Sequence, residues 1–122
     1  METDRQQEVD KPEPTPVDNF RAMIGKVNES YNAPDVKAAR KARREARKFG
    51  ADVVEAFVNS SKLEQRDLRA KIEIIMLQRG DMVRDIYYTL LRTKKAPAVV
   101  VRDLLYIRPH GPLPKGYNMA QG

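Results

Sequence analysis

Between residues 37 and 48 the chain reads KAARKARREARK, setting Lys37, Arg40, Lys41, Arg43, Arg44, Arg47 and Lys48 against a single acid, Glu45. Cations at this density suit electrostatic rather than covalent chemistry. Ammonium and guanidinium groups pair with phosphate oxygens, arginine in a bidentate fork. On a helix turning 100° per residue the seven fall within an arc of about 160°. Ala39, Ala42, Ala46, Phe49, Val53 and Ala56 occupy a separate arc of about 100°, the seam of a helix packed on a neighbour.

The ordinary role for a charge run is a solvated helix face, and Ala, Arg, Lys and Glu all favour helix. Such a face mixes signs, because opposite charges four residues apart stabilise and like charges repel. Here Lys37–Lys41, Arg40–Arg44, Arg43–Arg47 and Arg44–Lys48 are all like-charged at that spacing, and only Lys41–Glu45 is relieved. Tolerated self-repulsion points to a polyanionic partner. Twelve helical residues extend about 18 Å, and a duplex carries one phosphate per ~1.7 Å of axis, so about four to six phosphates lie within reach. The basic arc has no Asn or Gln to read base edges and no aromatic ring on which bases would stack. The expectation is a non-enzymatic nucleic-acid-binding protein that contacts the phosphate backbone of duplex or structured RNA or DNA, with little sequence specificity.

Arg84, Arg92, Lys94 and Lys95 are secondary basic candidates; attraction to a helix C-terminus is a sufficient ordinary explanation for Arg92, Lys94 and Lys95, and a polar helix face for Arg84. A helix-turn-helix placed at Gly80 would turn Arg84, Tyr88 and Arg92 toward nucleic acid. Asp81 and Thr89 fit that pattern poorly. No catalytic or metal-binding group is expected, and no cofactor. The chain lacks cysteine, its one histidine is His110, and it has no glycine-rich phosphate loop. Glu64 and Asp67 sit among Lys62, Arg66, Arg69 and Lys71, which makes them surface ion-pairing groups.

The elements that must position these residues are helical. Residues 1–17 are acidic and carry alternating prolines, and residues 108–122 are rich in proline and glycine; both are expected to be disordered tails. Residues 18–107 are expected to form a small all-α bundle of about five helices. The first is capped at Asp18 and carries Phe20, Met23, Ile24 and Val27. The second covers 35–59, weakened at Gly50. The third carries Leu63, Leu68, Ile72, Ile74, Ile75 and Leu77 and reads as the most buried. The fourth follows a cap at Asp81, and the fifth starts near Pro97. Tyr87 follows the apolar stripe of the fourth helix, and Tyr88 does not.

No apolar run approaches the ~20 residues of a membrane span, so the expected protein is soluble and intracellular, with cytoplasm and nucleus both open. The alternative function is an assembly adaptor whose helical core and proline-containing tails bind partner proteins. A homodimer through the alanine seam is a further expectation, and the basic run also resembles a nuclear-import signal.

Overall fold

Thr15 starts the first helix. Its side chain accepts the backbone N–H of Asp18, while the Asp18 carboxylate accepts the N–H of Thr15, a reciprocal capping box with Pro16 in the first turn. Helix α1 therefore runs Pro16–Tyr31. Its cap lies three residues before the expected Asp18, which is not the cap but its partner. These details come from a computed structural model of the protein, which describes residues 13–106. Of the expected tails 1–17 and 108–122, residues 1–12 and 108–122 lie outside the described residues, and the N-terminal expectation is corrected where Thr15 caps α1 and Pro16 and Val17 belong to it.

Four more helices follow: α2 over Val36–Val58, α3 over Lys62–Gln78, α4 over Val83–Leu91 and α5 over Ala98–Leu104, with a short 3-10 turn at Gly80–Met82. No strand occurs among the described residues. The domain is an all-α bundle of five helices, and the ambiguous AVVV stretch is helical. Asp35 caps α2 by accepting from the Ala38 N–H at 2.8 Å, and Ser61 with Glu64 forms a second capping box at α3. Asp81, expected to cap α4, instead holds Arg79 at 3.2 Å, and no side chain caps the α4 start. The preceding 3-10 turn carries the chain directly into α4.

The core is one cluster. Phe20, Met23, Phe57, Ile72, Ile86, Leu90 and Leu104 are among its fully enclosed side chains. The most extensive helix–helix contact is between α1 and α2, while α4, α3 and α5 close on the C-terminal half of α2. That asymmetry rotates the buried side of α2. Ala42, Ala46 and Val53 are buried as the seam requires, but Gly50, Val54 and Phe57 join them, and Ala39, Phe49 and Ala56 are only half-buried. Gly50 neither breaks nor ends α2. It marks a close approach: a Cβ there would stand 3.1 Å from Met23 Sδ, 3.2 Å from Leu90 Cδ2 and 3.4 Å from Thr93 Cγ2.

The helix expected to be the most buried is corrected. Leu68, Ile72, Ile75 and Met76 of α3 face the core, but Leu63, Ile74 and Leu77 are exposed. The alanine seam is also corrected as a dimer surface, because α1 packs along α2 there and buries Ala42 and Ala46 to 1% exposure.

Past α4 the backbone turns through Lys94, whose φ of 57° lies in the left-handed region. A side chain in that conformation costs about 1–2 kcal/mol, and glycine does not incur it. Part of the gain from glycine is lost to its greater freedom in the unfolded chain, about 0.5–1 kcal/mol. Lys94→Gly should therefore stabilise the domain by about 0.5–1 kcal/mol, raising the thermal midpoint by roughly 2–8 °C. Calorimetry of the two proteins checks this; a lower midpoint for the variant would contradict it.

Candidate nucleic-acid interface

The site is built on the first half of α2. Lys37 follows the Asp35 cap by two residues, and Lys48 stands two residues before the buried Gly50. Lys37, Arg40, Lys41, Arg43, Arg44 and Lys48 are exposed, and Arg47 is half-buried. The structure thus brings all seven to one continuous surface, opposite the seam that α1 covers. A shallow open depression runs between Asp35, Val36, Lys37, Ala38, Arg40, Lys41 and Arg44.

The cations of this surface form no close ion pair. Among the described residues, no carboxylate lies within 4.0 Å of any of the seven basic groups. The acid within the run, Glu45, turns the other way. Its Oε1 lies 2.9 Å from Lys26 Nζ of α1, and Lys26 also holds Glu29 at 3.2 Å. The hydrogen bond from Lys26 lowers the Glu45 pKa, with smaller contributions from Lys41 and Lys48; the same hydrogen bond raises that of Lys26. The expected relief of Lys41 by Glu45 is therefore replaced by a contact across the α1–α2 seam. Lys37 also sits in the first turn of α2, where the helix dipole disfavours a cation. An anion placed there meets both.

The surface has a defined end. Glu55 lies two turns beyond Lys48 on the same side of α2, and Asp52 is exposed nearby in sequence. Past Gly50 the helix changes sign. Lys95 reaches Glu55 at 3.9 Å, so this member of the secondary basic group has an intramolecular partner.

The remaining secondary residues lie on and after α4. Arg84, Tyr88 and Arg92 recur every four residues and form an exposed stripe. Arg84 lies about 120° around α4 from Leu90, the residue of that helix that approaches Gly50 of α2. The Arg92 guanidinium carbon stands 5.9 Å from the centre of the Tyr88 ring, a cation–π contact that occupies one face of the ring. Tyr87 is buried, as its place in the stripe requires, and Tyr88 is 40% exposed. Lys94 is exposed at its left-handed turn.

A neighbour of the basic surface is not evident from sequence. Tyr31, the last residue of α1, faces the Asp85 carboxylate of α4, whose influence pushes the phenol up to about 12; Arg43 acts weakly in the opposite direction. The edge of the interface near Arg43 therefore includes a tyrosine, although the basic arc itself contains none. No local pattern announces this, because the two partners meet only when α1 and α4 pack against the same helix.

No group of three or more histidine, cysteine or acidic residues able to hold a metal occurs among the described residues. No helix among them is long and apolar enough to cross a membrane. No protein-family model, curated protein or solved structure matches the chain.

Proposed function

We propose that this protein binds the phosphate backbone of duplex or structured nucleic acid, RNA or DNA, through the Lys37–Lys48 surface of α2, without catalysis and with little sequence specificity. The observation that carries the reading is the absence of a carboxylate within 4.0 Å of any of the seven cations among the described residues. Surface arginines that serve only stability or solubility are commonly shared with acids on adjacent turns. Here the one acid available is drawn off to Lys26. A surface about 18 Å long matches the phosphate spacing of a duplex and carries no Asn or Gln to read adenine edges.

Binding of a generic duplex, in DNA and RNA forms, followed by fluorescence anisotropy across about 0.05 to 0.3 M salt, tests the proposal. Four to six phosphate contacts give a log–log slope of about −4 to −5 on B-form DNA. Absence of duplex binding at the lowest salt would overturn it.

A second reading, an assembly adaptor, draws on a different surface, the exposed Leu63, Ile74 and Leu77 of α3. An adaptor would leave the duplex unbound at physiological salt and recover a specific protein instead.

A further inference from the structure

Helix α3 is apolar on two opposite sides. Leu68, Ile72, Ile75 and Met76 are buried against the core. Leu63, Ala70, Ile74 and Leu77 follow at steps of seven, four and three residues, within an arc of about 60° on the far side. Leu63 is 74% exposed, Ile74 58% and Leu77 72%. Water against these side chains is costly, and a second apolar stripe on a surface helix is the usual mark of a second packing partner.

The polar flanks of the stripe say what that partner is. Arg66 and Glu73 border one side, Asp67 and Lys71 the other, and all four are exposed. Arg66 and Glu73 enter no ion pair of the described residues, while Lys71 holds Asp67 at 3.1 Å within α3. Each flank thus carries one base and one acid, about one or two turns apart. A two-fold axis across the helix brings a flank against the same flank of the other copy, running in reverse. Arg66 then meets the partner's Glu73, Asp67 meets the partner's Lys71, and Leu63 meets the partner's Leu77. Ala70 meets the partner's Ala70 at the crossing point, where a small side chain lets two helices approach closely. A two-fold axis along the helix instead sets Arg66 against the partner's Asp67 and Glu73 against the partner's Lys71. Opposite charges face each other in both alignments, so the surface complements itself.

We infer that the outer face of α3 is the isologous interface of a homodimer, centred on Ala70 with Leu63, Ile74 and Leu77 as its apolar contacts. One helix face is small beside a standard interface of about 800 Å² per partner, so the dimer belongs in the micromolar range or weaker. The basic surface of α2 is not part of this interface, and dimerisation presents two such surfaces in one particle.

Sedimentation of the full chain over about 1 μM to 1 mM, a range suited to a weak interface, should show mass rising from 14.0 kDa toward twice that value. Ile74→Glu with Leu77→Glu should weaken association at least tenfold and leave helicity and thermal midpoint unchanged, since both side chains point away from the core. The chain contains no cysteine, so Ala70→Cys is a clean second reporter. It should form a disulfide-linked dimer under mild oxidation at least ten times faster than a cysteine placed at the exposed Asp52. Should the double variant fail to fold, the Ala70→Cys rate decides. A monomer at every concentration overturns the inference and assigns the stripe to residues 107–122 or to a different protein. A dimer that survives the double variant, without accelerated Ala70→Cys linkage, also overturns it by placing the interface on another face.

Discussion

Replacing Arg40, Arg43, Arg44 and Arg47 together with glutamine will remove most duplex binding while leaving the fold intact. Each phosphate neutralised on B-form DNA contributes about 0.9 to the salt slope, so four lost contacts flatten it by roughly 3.6. Counterion release fades near 1 M salt, and at 0.1 M the same loss amounts to roughly three to four powers of ten in affinity. Stability points the other way. The substitutions remove the like-charged Arg40–Arg44 and Arg43–Arg47 pairs, each worth a few tenths of a kcal/mol of repulsion. Only Arg47, half-buried, gives up packing of its aliphatic stem.

The matching variant with four lysines separates charge from geometry. It should keep the slope, since the charge count is unchanged, and lose affinity only through the missing bidentate contacts. Anisotropy titrations read both effects, and circular dichroism confirms the helix content. An unaltered slope in the glutamine variant would remove α2 as the contact surface.

Gly50→Leu will destabilise the domain by about 3 kcal/mol or more, a large part of the roughly 5–15 kcal/mol that holds a domain together. A Cβ at this position already meets Met23 Sδ at 3.1 Å and Leu90 Cδ2 at 3.2 Å. Alanine gains about 1 kcal/mol of helix propensity and asks its neighbours to shift by a few tenths of an ångström. Met23 can give, being flexible, whereas Leu90 is fully enclosed. Those two effects nearly cancel for alanine.

Leucine adds three more carbons where α2 meets α1 and α4. Gly25 supplies the contrast. It lies in α1 with nothing within 4 Å of its would-be Cβ, so Gly25→Ala should stabilise by about 0.5–1 kcal/mol. Urea midpoints of the three proteins test the pair of expectations. A loss below about 1 kcal/mol for Gly50→Leu would mean that the helices separate easily there.

Much of this architecture is legible along the chain. Helical spacing of Phe20, Met23, Ile24 and Val27, and of Val83, Ile86, Tyr87 and Leu90, marks residues that are buried. Such spacing reports a side, and a helix with one apolar side has only one way to face a core. The capping signal was also present: Thr15 and Asp18 stand three residues apart, and reading Asp18 alone as a cap misplaces the start of α1. In α3 the same logic fails. Two apolar stripes on opposite sides satisfy the helical period equally, so Leu63, Ile74 and Leu77 cannot be told from Leu68, Ile72 and Ile75 by spacing. The choice depends on where α1, α2 and α5 leave room.

The basic run and its self-repulsion belong to the sequence alone, since residues three and four apart on a helix meet whatever surrounds them. The same locality specified five helices and the caps of α1, α2 and α3. Only tertiary packing decided that Glu45 joins Lys26 rather than Lys41, that Tyr31 meets Asp85, and that Gly50 is a point of contact rather than a bend. Each of those partners comes from another helix, and a distance between helices is written nowhere in the periodicity of either one.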